Sequence, residues 1–342
     1  MTLTNVTNRC CTESVLNEEP ALPSRGSLRA RSAAAVSSLT LRQISAVLPP
    51  EQPWGLWLSR QIVARIMGIF GPSLVGTRVD SVDTRTSDGR RLVGEWVCGA
   101  GVDDRAEGLI YFVHGSGYAL CSPRTHRRIT SWLSTLTGLP VFSIDYRLAP
   151  RHRFPTAAED VRTGWDWLTG DKAFAPERTV IAGDSAGGHL AVDLLLQSGT
   201  PHPAALVLLS PVLDLTFELA RTRERLHRDP AIRSRDAARL IDLYCTGIDS
   251  DHPRLKLDVA TGRRMPPTLV QAGGSEMLAA DAIALAEAIC AAGGCCDLEV
   301  WPDQVHVFQA LPRLTPEAAP AMRRISAFIA RALSADEIDR AG

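Results

Sequence analysis

From Gly76 onward, short runs rich in β-branched and aromatic residues alternate with segments of helical apolar spacing. No other feature restricts the fold of this chain as strongly. "TRVDSVDTR", "LVGEWVC" and "GLIYFVH" come first, then "PVFSIDY", "RTVIAG", "AALVLLS", "PPTLVQAG" and "CDLEVW". Helical stretches fall near 124–137, 157–170, 186–198, 279–292 and 317–333. Such alternation predicts an α/β fold with a mostly parallel central sheet, helices on both faces and ligands at the carboxyl ends of the strands. One stretch breaks the rhythm. Between "LLSPVLDL" and "PPTLVQAG" the chain is polar, charged and helical in period, which predicts an insertion at about 215–260. Together with N-terminal helices over 39–76, it is expected to form a helical cap on a main domain spanning 77–342.

Residues 1–38 are rich in Ser, Ala, Arg and Asn with little periodicity, and are expected to be flexible or weakly helical. "WGLWLSRQIVARIMGIF" (Trp54 to Phe70) lines up Leu58, Ile62, Val63, Ile66 and Phe70 on one stripe, with Arg60 and Arg65 outside it. That pattern fits a helix packed on the body; the sharper alternative is a lid helix, or one that touches a lipid surface. A chain of 342 residues with 45% apolar and 22% charged residues fits one large domain, or one domain with a lid. Its net charge of -1 offers no global field to recruit nucleic acid or an anionic membrane.

Eight cysteines (Cys10, Cys11, Cys98, Cys121, Cys245, Cys290, Cys295, Cys296) are spread along the chain without a C-x-x-C motif. Neither a metal site nor a disulfide framework is expected, which favours a reducing, cytoplasmic setting. "MTLTNVTNRCCTESVLNEEP" has no apolar core of a signal sequence, and no run is long enough to span a membrane.

Two serines compete for attention. "TVIAGDSAGGHLAVDLLL" places Ser185 in Gly183-Asp184-Ser185-Ala186-Gly187, after a strand and at the start of a helix. A G-x-S-x-G turn there exposes the hydroxyl, and the helix N-terminus points at any anion that develops. The bland alternative is a glycine turn with Ser185 as helix cap. A serine needs a base, and His306 in "VWPDQVHVFQ" lies just past the last strand. The acid is expected after the penultimate strand, where "QAGGSEMLAADA" offers Glu276 and Asp281. Glu276 follows the Gly-Gly turn directly and is preferred. Asp281 reads as a capping or surface residue, and Asp303 is close to His306 in sequence. His189 faces helix packing or solvent, and His126, His202, His227 and His252 sit in polar segments. The order Ser185, Glu276, His306 matches the strand-turn-helix serine hydrolases.

"IYFVHGSGYAL" holds the second serine, Ser116. It fails the G-x-S-x-G pattern and no helix follows it at once. Its amide is the expected working part: an oxyanion hole is expected from the backbone N–H of Ala186 and from this loop, each such donor being worth ~3–4 kcal/mol. His114 is expected to hold this loop by hydrogen bonding, and Asp184 and Asp160 to support neighbouring turns. Tyr118, His114 and Asp184 are the candidates for the pocket wall.

The blocks "FVHGSGYAL", "DYRLAPRHRFPTAAED", "AGDSAGGHLA", "LSPVLDL", "GGSEML" and "WPDQVHVF" occur in the order found in the bacterial hormone-sensitive-lipase-like (family IV) esterases, and the chain resembles that family over roughly residues 108–335. The resemblance implies an α/β-hydrolase fold with a helical cap. It also implies a small-molecule partner, a carboxylic ester with a short-to-medium acyl chain, hydrolysed through an acyl-enzyme without metal or cofactor. Ser185, Glu276 and His306 match its triad, and Ser116, Gly117 and Ala186 its oxyanion donors. Three positions depart. Ser116 replaces a glycine of the His-Gly-Gly-Gly loop, which is tolerable only where no positive φ is needed. Glu276 stands where aspartate is common, and Arg151 where glutamate is common. A lactonase, deacetylase or amidase using the same residues is the nearest alternative. In another class stands a non-catalytic small-molecule receptor, resembling the plant gibberellin receptors. Cys121, beside the loop, reads as packing or as a thiol whose modification blocks the pocket. A homodimer is left open.

Overall fold

The computed structural model describes residues 7–9, 21–103 and 106–341. Its strands are β1 (Thr7–Arg9), β2 (Arg78–Arg85), β3 (Arg91–Cys98), β4 (Leu109–Val113), β5 (Val141–Ile144), β6 (Thr179–Asp184), β7 (Ala205–Leu209), β8 (Thr268–Gly273) and β9 (Cys296–Trp301). They form one sheet in the order β1-β9-β8-β7-β6-β4-β5-β3-β2. From β5 to β9 every neighbouring pair is parallel, while β1, β2 and β3 pair antiparallel at the edges. The mostly parallel sheet expected from the alternation is present.

The central strands are apolar along their whole length because both faces are covered. In β4, Leu109, Tyr111 and Val113 enter the core shared with helices α5 (Thr156–Asp166), α6 (Ala186–Leu196) and α9 (Ala279–Ala291). Ile110 and Phe112 point to the opposite core, beneath α4 (Pro123–Thr137) and α10 (Ala318–Ala341). The two-residue period of a strand thus feeds two separate cores.

After β4 the chain crosses to β5 on one side, then returns to place β6 on the other side of β4. The crevice of an open α/β sheet lies at this reversal, outside the carboxyl ends of the strands. The loop beginning at His114 follows β4, and Ser185 follows β6. Both candidate serines therefore arrive at the same crevice.

The remaining helices are α1 (Leu28–Leu39), α2 (Leu41–Val47), α3 (Pro53–Phe70), α7 (Glu218–Leu226) and α8 (Ser234–Cys245), the last two between β7 and β8. Arg42 of α2 donates to Glu224 (2.7 Å) and to the carbonyls of Asp229 (2.5 Å) and Ile232 (3.1 Å). Arg239 of α8 pairs with Glu51 (2.7 Å). The N-terminal helices and the insertion therefore hold one another. In α3, Ile66, Met67 and Phe70 pack on the α4 side of the sheet, and Leu56 enters the other core.

The segment read as flexible or weakly helical to residue 38 contains the helix α1, whose first turn is capped by Ser27 Oγ accepting from Ala30 N (3.1 Å). Ser27 in turn donates to Glu317 at the start of α10 (2.5 and 3.2 Å), so tertiary contacts supply the order that periodicity lacked. The rest of that segment, except residues 7–9 and 21–27, lies outside the described residues. The cysteine reading is corrected, because Cys290 and Cys295 are disulfide-bonded. Cys121 and Cys245 are free thiols, and Cys10 and Cys11 lie outside the described residues. No group of His, Cys, Asp or Glu among the described residues is arranged to hold a metal, and no helix there is long and apolar enough to cross a membrane.

Candidate active site

Ser185 occupies the turn between β6 and α6 with φ 51° and ψ −120°, a conformation costly for a residue with a side chain. Close approach of backbones enforces the flanking glycines. A Cβ on Gly187 would lie 2.0 Å from the Val113 carbonyl oxygen, and one on Gly115 would lie 2.3 Å from the Asp184 carboxylate. The turn can therefore tuck against the β4 loop only with hydrogen at these positions.

Ser185 Oγ lies 3.0 Å from His306 Nε2, and His306 Nδ1 makes a short hydrogen bond to Glu276 Oε2. Glu276 is 1% exposed, so its charge is held away from solvent. Its other oxygen accepts from Ser210 Oγ (2.7 Å) and Gly273 N (2.6 Å). Ser210 Oγ itself accepts from the amide of Val307 (3.1 Å), tying Glu276 to the residue after His306. Burial works to lower the His306 pKa, but the Glu276 carboxylate, with smaller contributions from Asp229 and Asp184, outweighs it and leaves the imidazole above its ordinary value.

The β4 loop supplies the second half. Gly115 N donates to Asp184 Oδ1 (3.0 Å), which pins the loop to the residue before Ser185. Burial pushes the Asp184 carboxyl up, yet the neighbouring His126, His114 and His306 hold it below the usual aspartate value. The next two amides, of Ser116 and Gly117, make no hydrogen bond to a protein group among the described residues, and neither does that of Ala186. Three unused donors thus stand beside Ser185, at the end of α6 where the helix dipole is positive.

Ser116 has φ 76° and Gly117 φ 59°. The condition set for a side chain at position 116 is therefore not met, and Ser116 carries a left-handed backbone at a cost of ~1–2 kcal/mol. Its hydroxyl accepts from Cys121 Sγ (2.8 Å), and its carbonyl accepts from the amides of Ala119 (3.3 Å) and Leu120 (3.2 Å). Strain of this kind gathers here: Ser116, Tyr118, Ser185, Ser210, Asp303 and Val307 all have positive φ.

The three pocket-wall candidates are corrected to supports. His114 is fully buried, stacks on Tyr146 with ring centroids 4.2 Å apart, and is driven to a pKa of about 3 by burial. Tyr118 is also fully buried and stacks on Tyr244 of α8 at 4.1 Å. Asp184 is turned under the loop. His126, read as lying in a polar segment, is buried and faces the Asp184 carboxylate at 3.3 Å. Asp281, read as a cap or surface group, is buried and accepts from the amides of Leu213 (3.0 Å) and Asp214 (3.2 Å). Asp303 does not reach His306 as a partner; it accepts from Gly26 N (2.9 Å).

Sequence reasoning missed Ser210, Arg42, Arg60, Arg223 and Asp229. Arg223 of α7 donates to the carbonyls of Glu276 (2.9 Å) and Gly274 (2.7 Å), and Asp229 accepts from Met277 N (2.8 Å). Arg60 of α3 donates to the Ala119 carbonyl (2.8 Å). Only Ser210 left a signal, as a polar residue at the carboxyl end of a strand. The arginines act on backbone carbonyls, which no residue pattern announces.

Residues 110–310 match a family model described as the α/β-hydrolase fold. A carboxylesterase/phospholipase of Mycobacterium tuberculosis is 35% identical over 241 residues, covering 66% of this chain and 62% of that protein. The chain therefore spans less than two thirds of that relative's length. An acetyl-hydrolase of Streptomyces hygroscopicus is 36% identical, covering 69% of this chain and 78% of that one. Among solved structures, an esterase of the bacterial hormone-sensitive lipase family is 30% identical with a TM-score of 0.78, over 90% of this chain and 99% of that one.

Proposed function

The chain belongs to the α/β-hydrolase family, in its bacterial hormone-sensitive-lipase-like branch, and we propose that it is a serine carboxylesterase acting on short-to-medium acyl esters. The observation that carries the reading is the unbroken line from Glu276 through His306 to Ser185, beside three unused amides. In this reading Ser185 Oγ attacks the ester carbonyl carbon while its proton passes to His306 Nε2. The amides of Ser116, Gly117 and Ala186 receive the oxyanion. His306 then gives the proton to the departing alkoxide, the C–O bond breaks, and acyl-Ser185 remains. Water repeats the cycle: His306 takes its proton, the acid departs, and Ser185 regains its hydrogen. Glu276 stays ionised, fixing the tautomer and stabilising the imidazolium. No step calls for a metal or cofactor.

The preference for modest acyl chains draws support from the acetyl-hydrolase relative and from Leu240 of α8. That side chain lies so close over Gly117 that a Cβ there would meet it at 2.6 Å. In the same reading, the N-terminal helices and the insertion form a cap. The test is hydrolysis of activated esters of increasing acyl length, with lactones and acetamides alongside. Wild type is expected to peak at short-to-medium esters, and Ser185→Ala to lose on the order of 10⁴–10⁶ in turnover. A lactone or amide optimum would move the reaction to that class, and an inactive wild type across all three would favour a receptor.

A further inference from the structure

Nine of the ten large apolar side chains that stand exposed among the described residues lie between Leu28 and Val75. They are Leu28, Val36, Leu39, Ile44, Val47, Trp54, Trp57, Ile69 and Val75, so three successive helices each turn apolar groups to solvent. Helix α3 shows the pattern best. After Pro53 at its start, its exposed positions, Trp54, Trp57, Gln61, Arg65 and Ile69, recur at helical spacing and form one stripe about 120° wide. The opposite side carries Leu56, Ile66, Met67 and Phe70 into the body. A surface helix normally sets polar residues against solvent; this one is apolar on both sides. Two tryptophans at 58% and 61% exposure are the residue type that settles at a membrane–water boundary.

Charge selects the partner. Residues 21–77 hold six arginines (Arg25, Arg29, Arg31, Arg42, Arg60, Arg65) against one carboxylate, Glu51, a net charge of +5. The whole chain carries -1, so the remainder carries -6. The near-neutral total conceals a molecule with two unlike parts, and the earlier reading that nothing recruits an anionic surface holds only for the average. Arg42 and Arg60 are spent on internal contacts, Arg29 donates to the Arg313 carbonyl, and Glu51 is taken by Arg239. Arg25 and Arg65 are exposed, and Arg65 sits within the tryptophan stripe.

We propose that the solvent face of α1–α3 docks on an anionic lipid surface, with Trp54, Trp57 and the exposed aliphatic residues entering the headgroup boundary and Arg25 and Arg65 meeting the lipid charge. This surface is separate from the residues proposed for catalysis and stands whether or not the chain cleaves esters. Its position nonetheless matters for substrate delivery, because Arg60, on the same α3, bonds the Ala119 carbonyl three residues beyond Ser116. A lipid layer under α3 would lie beside the crevice and not on the far side of the sheet.

The test is flotation of the full chain with vesicles of phosphatidylcholine alone and of phosphatidylcholine with phosphatidylglycerol at roughly 7:3, at low and high salt. Binding is expected only to the anionic vesicles and is expected to weaken with salt. Trp54→Ala/Trp57→Ala and Arg65→Glu should each reduce the bound fraction at least about tenfold. Both variants should hydrolyse a water-soluble short ester at the wild-type rate, since all three side chains are exposed. Size-exclusion chromatography over a concentration series accompanies the flotation. Absence of binding to either vesicle, or binding that the variants leave unchanged, overturns the proposal. So does a wild-type dimer that Trp54→Ala/Trp57→Ala converts to monomer, which would assign the face to a second copy of the chain.

Discussion

Replacing Ser116 by glycine separates what the backbone of the proposed oxyanion loop does from what its one side chain does. At φ 76° the serine pays a left-handed cost of ~1–2 kcal/mol, which glycine removes. Against this, glycine adds chain entropy to the unfolded state, worth ~0.4–1 kcal/mol. The substitution also deletes the acceptor for Cys121 Sγ–H, a weak bond at the bottom of the ~0.5–1.5 kcal/mol range. The balance runs from about 0.5 kcal/mol against glycine to about 1 kcal/mol in its favour, or no more than ~2–4 °C in Tm. The amides of Ser116 and Gly117 remain where they were, so kcat/KM on an activated short ester should stay within about threefold of wild type. Ser116→Ala keeps the backbone cost and loses the hydroxyl; it should melt lower than the glycine variant while retaining activity. A tenfold fall in kcat, about 1.4 kcal/mol of barrier, in both variants would show that the hydroxyl itself takes part. A fall in the glycine variant alone would show that the side chain stiffens the loop into its working geometry. Either result refutes the view that only the amides matter.

The raised His306 pKa places the acid limb of the pH–kcat/KM profile above the ordinary histidine value, because the reading needs neutral imidazole as base. Glu276→Gln removes the carboxylate that raises it, so the limb should move to lower pH while kcat drops by roughly 10²–10⁴; a limb that stays in place would argue against His306 as the titrating base. Asp281 is pushed by burial to about 7, so in the folded state its protonated form is favoured. Its contribution to stability is full below the unfolded aspartate pKa and is lost as pH rises through about 7. Asp281→Asn keeps an acceptor for the amides of Leu213 and Asp214 and should flatten that decline in denaturant melts between pH 4 and 8.

The parallel core was legible because buried strands must be apolar throughout and because helices separate them; β4 to β9 fall where those runs lie. The serine turn was legible for a steric reason, since Gly183 and Gly187 are forced by backbone contact and leave a trace in sequence. His306 and Glu276 followed from chain order at the ends of strands. What escaped depended on contacts distant in sequence. His126 looked superficial until α4 laid it on Asp184, and Asp281 looked like a cap until the loop after β7 enclosed it. Helix α1 had no periodicity to read because its order comes from Ser27 and Glu317.

The parts that sequence could not see also share a direction of action. Arg223 and Asp229, both in the insertion, grip the backbone on either side of Glu276: one takes the carbonyls of Gly274 and Glu276, the other the amide of Met277. Arg42 from α2 holds Asp229 in place through its carbonyl, and Arg60 from α3 holds the loop that follows Ser116. The loops carrying Glu276 and Ser116 are thus fastened by the insertion and the N-terminal helices as well as by the sheet beneath. A loop freed by even an ångström at Glu276 would misalign His306, whereas substrate contacts would persist. Arg223→Ala should therefore lower kcat by about tenfold or more with little change in KM, and Arg223→Lys, which reaches one carbonyl at a time, should recover part of it. An Arg223→Ala variant that instead raised KM at constant kcat would place the residue in substrate binding, and the insertion would then cover the site instead of bracing Glu276.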